Sequence, residues 1–408
     1  GSTISITGGT LPPGGSFTVS VKVSSLLNEG YTNITDIVSS SNGGTGSTAS
    51  AVISFTPKPT ISKAFAVSTI PVGDTATLSF IITNNSGGAI TGVTFDDLFP
   101  AGLVTANPPV LTPATPCGAG SSIQSWDGAT AGALSGSGGD VGIRLTAGDI
   151  ATATGTCSFS VDVTAAVAGD YANTSSGVDS IETTPAGPVS NTAVLSALAA
   201  PTVDKTFLSN TIGKGQSTTM TITLNNSNAV VITGVAFTDS YPADLLNAAT
   251  PNLSNSCGGT VTAVAGGTSL SLSAGSIPAS SSCSISVDVT SDVVNLTGYV
   301  NALAVGDVST GNAGSNAVAA TDTLIVNATP TITKSFRCNP AAGIATMDIS
   351  ILNNEAAAIT SVSFTDLLPM GMKTDNPPSV SPAEPCGVGS SIESWNGATA
   401  TTLSATGA

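Results

Sequence analysis

The chain contains 408 residues, of which 8% are charged and 4% are aromatic, and its net charge at pH 7 is −16. Only nine residues are Lys or Arg, which argues against nucleic acid or an anionic membrane as a partner, because both are bound mainly by basic side chains. The sequence has no histidine, so Ser-His-Asp and Cys-His catalysis are excluded, and we predict that the protein is not an enzyme. No apolar run reaches the roughly 20 residues that a membrane-spanning helix needs.

The N-terminal stretch ITGGTLPPGGSFTVSVKV ends at Val23 and introduces an element that recurs along the chain. Its counterparts LTAGDIATATGTCSFSVDV and LSAGSIPASSSCSISVDV end at Val163 and Val289. Each of the three is followed by a Tyr-x-Asn motif. Because apolar and polar residues alternate with a period of two, we predict that each stretch ends in a β-strand with one buried face.

A second recurring element opens with PTISKAF at 59–65, PTVDKTF at 201–207 and PTITKSF at 330–336. An alternating apolar strand follows each opening, and a second strand then closes on ITGVTFDDLFP, ITGVAFTDSYP or ITSVSFTDLLP. Val, Ile and Thr are enriched in these runs, and Asn, Gly and Ser bound them. This pattern predicts β-hairpins that each bury one face.

The repeats divide the chain into four segments. We predict complete modules at 58–198 and 199–327, the N-terminal part of a module at 328–408, and the C-terminal part of one at 1–57. Segment 328–408 would be completed by residues equivalent to 1–57 of the next unit, either along a longer polypeptide, which we favour, or by strand donation between chains. Short strands and Gly/Pro turns predict an all-β fold of tandem immunoglobulin-like Greek-key β-sandwiches, and short Pro-Thr linkers predict an extended rod.

Taken together, these motifs resemble the conserved-repeat Ig-like modules of secreted bacterial and archaeal surface proteins, one of the domain-of-unknown-function families. The resemblance covers essentially the whole chain. It implies an extracellular location at the cell surface and no established enzymatic activity. More distantly, the early Lys, the Asp after the second strand and the late Asn resemble fimbrial modules that form internal isopeptide bonds.

Six cysteines in a secreted chain indicate disulfides. Both complete modules carry one cysteine before a glycine turn and one at the start of the SVDV strand. In the split module Phe17 stands where the second cysteine would be, and an additional cysteine occurs at position 338. We therefore predict the pairs Cys117–Cys157, Cys257–Cys283 and Cys338–Cys386. In the alternative, the last two cysteines are free or join other chains.

Every module also carries a Lys, an Asp and an Asn at corresponding places. The three sets are Lys63, Asp97 and Asn173; Lys205, Asp239 and Asn301; and Lys334, Asp366 and Asn33. If the first and late strands are neighbours, a buried neutral Lys could attack an Asn amide that a protonated Asp polarises. The alternative is a Lys–Asp ion pair at the module base, with Asn satisfying a turn. The sequence shows that the three residues recur in each module but does not show that they are buried, so we favour the ion pair.

Two Pro-rich loops, 105–128 and 373–397, contain Trp126 and Trp395, which are the only tryptophans. An indole ring could stack on a sugar, although a Trp that packs its own loop onto the sandwich is the more common arrangement.

A Ca²⁺ site at a module junction could be formed by Asp140, Asp149, Asp170 and Asp179. No EF-hand spacing supports such a site, and solvated turn aspartates are favoured. We predict no other cofactor, since a zinc site would need a CxxC motif or histidines.

These observations favour a structural component of an extracellular filament, stalk or sheath. Its expected partners are copies of itself or further modules of the same polypeptide, arranged head to tail. The alternative function is a cell-surface adhesin, or its spacer region, that binds glycan or protein through the Pro/Trp loops. A paired-carboxylate hydrolase is disfavoured, because narrow stacked sandwiches offer no evident cleft.

Overall fold

The structure is a computed structural model that describes residues 3–24, 30–339, 344–354, 358–360, 362–374, 393–395 and 400–402. Every regular element in these ranges is a β-strand. Across the same ranges, no helix has the length and apolar character needed to cross a membrane. The chain divides into two compact units, residues 1–200 with 312–314, and residues 201–311 with 315–408.

Strands of the first unit are short, and most alternate between buried and exposed residues. They are β1 (Gly30–Ile34), β2 (Ser39–Ser40), β3 (Gly44–Thr45), β4 (Ser50–Ser54), β5 (Thr60–Phe65), β6 (Thr69–Pro71), β7 (Thr75–Thr83), β8 (Ile90–Leu98), β9 (Leu103–Thr105), β10 (Leu111–Thr112), β11 (Ser122–Trp126), β12 (Ala131–Ala133), β13 (Gly142–Ile150), β14 (Thr156–Ala165), β15 (Gly169–Asn173) and β16 (Ala193–Leu198).

Strands of the second unit follow the same order over residues 202–327. They are β17 (Thr202–Phe207), β18 (Thr211–Gly213), β19 (Ser217–Asn226), β20 (Ile232–Ser240), β21 (Leu246–Asn247), β22 (Ser254–Asn255), β23 (Thr260–Thr262), β24 (Ser269–Ile277), β25 (Ser281–Thr290), β26 (Asn295–Leu303), β27 (Ala320–Asn327), β28 (Thr331–Asn339), β29 (Ile344–Leu352), β30 (Glu393–Trp395) and β31 (Ala400–Thr402).

The first complete module is a two-layer sandwich. One sheet has the order β10-β14-β7-β5, with β9 also pairing to β14. The other layer contains β12-β11-β13-β8 and β15-β16-β6, which meet where the Ser176 amide donates to the Asp96 carbonyl. Between the layers lie the rings of Phe80, Phe95 and Phe159, with centroids 4.8–6.0 Å apart. This arrangement confirms the predicted all-β, immunoglobulin-like fold.

The second complete module repeats this plan with sheets β17-β19-β25-β21, β20-β24-β23 and β18-β27-β26. Tyrosine corners mark the equivalent late strands of both modules: the Tyr171 hydroxyl donates to the Val167 carbonyl, and the Tyr299 hydroxyl donates to the Val293 carbonyl. Because side chains two residues apart share a strand face, each corner also places the Asn of the Tyr-x-Asn motif toward the core.

The segments outside the complete modules form hairpins. β1 pairs with β4, β28 pairs with β29, and β30 pairs with β31. The strand predicted to end at Val23 is not formed: residues 3–24 contain no strand, and Val19 and Val21 are 54% exposed. In a complete module this strand pairs with β7, and it has no such partner in the described part of residues 1–57. The assignment of 1–57 and 328–408 as complementary parts stays a prediction.

The loop after β15 passes close to the backbone of residues 187–188. A Cβ atom added to Gly177 would overlap the carbonyl oxygen of Gly187, whereas one added to Gly88 meets nothing within 4 Å. We expect Gly177→Ala to destabilise the first module by about 1–3 kcal/mol through overpacking, and Gly88→Ala to have little effect. Urea unfolding followed by Trp126 fluorescence, in a Trp395→Phe background, checks this. Equal midpoints for the two variants would contradict the close approach.

Candidate functional site

In the first complete module, the site begins with Lys63, which points from β5 into the core. Residues of β5 alternate between buried and exposed, and Lys63 lies on the same face as Ile61. Its side chain is fully buried, and Nζ lies 5.2 Å from the centroid of the Phe80 ring on the neighbouring strand. A lysine thus occupies a position where the strand pattern calls for an apolar residue.

Asp97 on β8 and Asn173 on β15 meet this lysine from the opposite layer. Lys63 Nζ lies 2.6 Å from Asp97 Oδ2, and both side chains are fully buried. Asn173 Nδ2 donates to the same oxygen at 3.1 Å. Two acceptors of the cluster, Asp97 Oδ1 and Asn173 Oδ1, are buried without a hydrogen-bond partner.

The second module builds the same cluster from β17, β20 and β26. Lys205 Nζ lies 2.7 Å from Asp239 Oδ1, again with both side chains fully buried. Asn301 Nδ2 donates to Asp239 Oδ2 at 3.1 Å and also contacts Met220 Sδ at 3.1 Å. The Asn301 Oδ1 atom is buried without a partner. The structure therefore brings all three predicted residues together in both complete modules.

The third set differs. Lys334 contacts both carboxylate oxygens of Asp366, at 2.6 and 2.8 Å, but the two side chains are 38% and 25% exposed. Asn33 lies on β1, opposite Ala51, and is exposed. The Lys334–Asp366 contact is therefore the simple ion pair that the sequence analysis favoured. Exposed ion pairs contribute little to stability.

Burial sets the protonation of the two internal clusters. Loss of hydration lowers the pKa values of Lys63 and Lys205, and the nearby carboxylates only partly oppose this change. Burial likewise raises the pKa values of Asp97 and Asp239, against the opposing effect of their lysines. Both changes favour moving the proton from the lysine to the carboxylate, which would leave a neutral amine beside a neutral acid.

Disulfides join Cys117 to Cys157 and Cys257 to Cys283. Both bonds are buried. The first ties the loop between β10 and β11 to β14, and the second ties the loop between β22 and β23 to β25. The side chain of Cys338 and the whole of Cys386 lie outside the described residues, so the third predicted bridge stays a prediction.

Trp126 packs against its own module. The guanidinium carbon of Arg144 lies 3.6 Å from the centroid of the indole ring, and the guanidinium also binds Asp96 through two hydrogen bonds. Arg144 pairs with Asp96 on one neighbouring strand and with Gln124 on the other, so Trp126 is its diagonal neighbour. Sequence reasoning missed this arrangement, since it depends on the register of three strands. The side chain of Trp395 lies outside the described residues.

The four aspartates considered for Ca²⁺ each accept a hydrogen bond from another residue of the same module. Their donors are Thr105 Oγ1 for Asp140, the Gly92 amide for Asp149, Ser196 Oγ for Asp170 and the Ser180 amide for Asp179. Among the described residues, no three His, Cys, Asp or Glu side chains come together as a metal-binding group. Calcium binding is untested by this geometry.

Residues 59–195 and 201–326 each match the model of the family described as Domain of unknown function (DUF7933), and the chain belongs to this family. The match confirms the resemblance inferred from the motifs. Its two copies coincide with the two modules that carry a buried Lys–Asp–Asn cluster. No curated protein matches the chain.

Several solved structures are distantly similar. The C-terminal domain of the AgI/II polypeptide BspA from Streptococcus agalactiae is 12% identical, with 66% of this chain and 99% of that chain covered and a TM-score of 0.37. The collagen adhesin CNA from S. aureus is 10% identical over 73% of this chain and 95% of that chain, with a TM-score of 0.24. These similarities are too distant to indicate a function.

Removing one member of a buried cluster should destabilise its module. We expect Asp97→Ala to cost about 3–5 kcal/mol, because it leaves Lys63 buried without a partner. The matched variant Asp366→Ala breaks an exposed pair and should cost less than about 1 kcal/mol. Urea unfolding of both variants provides the measurement. A loss below 1 kcal/mol for Asp97→Ala would contradict the burial of this pair.

Proposed function

We propose that the chain is a structural component of an extracellular filament, stalk or sheath, in which β-sandwich modules continue end to end and resist extension. The observation that carries this proposal is a parallel pairing in both complete modules. β6, near the start of one module, lies parallel to its last strand β16, and β18 lies parallel to β27 in the same way.

This pairing determines how a module responds to tension. The chain enters each module before the early strand and leaves it after the last strand. Tension therefore draws two parallel strands past one another along their length. The hydrogen bonds between them, such as Val72 N to Leu198 O and Ser196 N to Ser68 O, are stretched together instead of opening one by one. The Lys–Asp–Asn clusters add contacts between the two layers of the same modules.

Extracellular location is supported by the two disulfides, because such bonds persist mainly in oxidising compartments. Catalysis plays no part in the proposed role. The alternative role as an adhesin depended on free indole rings, and Arg144 covers one face of the Trp126 ring. The structural role is therefore the better supported of the two.

We infer that the partners are copies of this chain or further units of one polypeptide, arranged head to tail. Val19 and Val21 are 54% exposed, whereas their counterparts Phe159 and Val161 are buried. Ile332 is 55% exposed, whereas its counterpart Ile61 is buried. The back-half motifs of 1–57 and the front-half motifs of 328–408 thus present complementary apolar residues that a second copy could bury.

Stretching single molecules tests the structural role. Val72→Pro removes the amide hydrogen that donates to the Leu198 carbonyl, whereas Val72→Ala keeps it. We expect Val72→Pro to lower the force at which the first module yields, with a loss of about 1 kcal/mol for one hydrogen bond. Val72→Ala should keep the force of the unaltered chain. Equal forces for both variants would contradict a resistance based on the β6–β16 pairing.

Sedimentation velocity over a range of concentrations tests head-to-tail association. We expect the chain to self-associate, and Val21→Asp to weaken association about tenfold or more by placing a charge on a surface that becomes buried. Val67→Asp is the matched control, since Val67 is 49% exposed within a complete module. A chain that stays monomeric at all concentrations, or equal weakening by both variants, would overturn the proposal.

A further inference from the structure

We propose that each complete module forms a covalent amide bond between its buried lysine and asparagine, joining Lys63 to Asn173 and Lys205 to Asn301 without an added enzyme. The proposal does not rest on the filament role, and its failure would leave that role unchanged. It rests on a nucleophile, a proton carrier and an acyl group that occupy one buried site, and the arrangement occurs twice in the chain.

Geometry brings the reacting groups within reach. Lys63 Nζ lies 2.6 Å and Asn173 Nδ2 lies 3.1 Å from the same oxygen of Asp97. Because Lys63 Nζ and Asn173 Nδ2 both contact this one oxygen, the amine and the amide lie close to each other. Their strands belong to opposite layers, so the packing of the sandwich holds the groups in place. Two free groups in solution must first meet in a reactive orientation, which is a large part of their entropic barrier. The fixed placement in the module removes this part of the barrier.

Unsatisfied oxygens show that the ion-paired form is incomplete. Asp97 Oδ1 and Asn173 Oδ1 are buried without a donor, as is Asn301 Oδ1 in the second module. A buried acceptor without a donor is unfavourable, because it loses its hydrogen bonds to water and gains none in the protein. If the carboxylate takes a proton from the lysine, it gains an O–H donor. If the side-chain amide of Asn173 then flips, its oxygen takes the position of Nδ2, 3.1 Å from Asp97 Oδ2. There it accepts the hydrogen bond from the protonated Asp97.

The chemical step balances without a further reactant. The Lys63 ammonium gives one proton to Asp97, and the resulting neutral amine attacks Asn173 Cγ while the acid hydrogen-bonds to the amide oxygen. A C–N bond forms between Nζ and Cγ, the bond from Cγ to Nδ2 breaks, and the attacking nitrogen gives a second proton to the departing nitrogen. Ammonia leaves. Asp97 stays protonated, so the product contains no buried charge.

Burial favours this step in two ways. It lowers the pKa of each lysine and raises that of each partner aspartate, which supplies the neutral amine and the acid together. It also removes water that would solvate the ion pair, so replacing two buried charges by a neutral amide relieves a desolvation cost. Lys334 and Asp366 are partly exposed and lack these advantages, so we expect no such bond from Lys334 within its own segment.

Intact mass spectrometry of the full chain, denatured and with both disulfides reduced, tests the proposal. Each amide bond releases one ammonia, so we expect the chain to be lighter than its sequence by about 17 Da for each of the two modules. Proteolytic digestion should yield two branched peptides, one that joins Lys63 to Asn173 and one that joins Lys205 to Asn301. The peptide map decides the question on the unaltered chain, even if a variant fails to fold.

Variants identify the residues responsible, with each mass compared to that expected from its own sequence. Lys63→Arg and Asp97→Asn should each raise the measured mass, relative to that deficit, by the mass of one ammonia. Lys63→Arg removes the nucleophile, and Asp97→Asn removes the proton carrier while keeping the shape of the side chain. Lys334→Arg is the matched control and should leave the deficit unchanged.

Two results would overturn the proposal. One is an unaltered chain whose mass equals that of its sequence. The other is a deficit that persists in the Lys63→Arg, Lys205→Arg double variant, or that maps to a succinimide at an Asn-Gly step such as Asn42–Gly43, which also loses ammonia.

Discussion

The buried contact between a lysine, a carboxylate and an asparagine is the constraint on which each complete module depends. Burying an ion pair is costly, and the cost is tolerable only when the partners meet with good geometry. Here that geometry requires β5, β8 and β15 to keep their register, since each contributes one side chain. A shift of one residue in any of these strands would turn its polar residue out of the core and leave the others unpaired. The cluster therefore specifies how the two layers match.

Comparison of the two modules shows that the cluster tolerates a change of core. In the first module Lys63 pairs across the sheet with Phe80, which pairs with Phe159. In the second, Lys205 pairs with Ile222, which pairs with Ile285. The stacked aromatic pair is thus exchanged as a whole for an aliphatic pair, while the lysine at the end of the row keeps its place. Packing in this row is adaptable, whereas the Lys–Asp and Asn–Asp contacts at its end occur in both modules, on one oxygen of Asp97 in the first and on the two oxygens of Asp239 in the second.

Much of the fold could be predicted from the sequence, because alternation with a period of two is a local signal that strands of a half-buried sheet carry directly. Lys63 was part of that signal, since it stands two residues after Ile61 on the inward face, although repetition alone did not prove its burial. The contact between Trp126 and Arg144 could not be predicted, because it depends on the register of strands joined by long loops. The strand predicted to end at Val23 failed for a related reason: a strand needs a partner, and the local pattern does not state whether one is present.

In the proposed structural role, the position of the cluster along the chain would make it more important for extension than the disulfides. The disulfides close loops of 40 and 26 residues in the interior of the modules. The cluster that links Lys63 to Asn173 through Asp97 instead spans most of the module, from its first strand to its penultimate one. With the proposed amide in place, tension entering at β5 would pass through the bond to β15 and bypass everything between them. Only residues 174–198 could then extend, and these end in β16, the strand that the parallel pairing with β6 retains. With the amide formed, the cluster and the pairing would therefore protect successive parts of one path through the module.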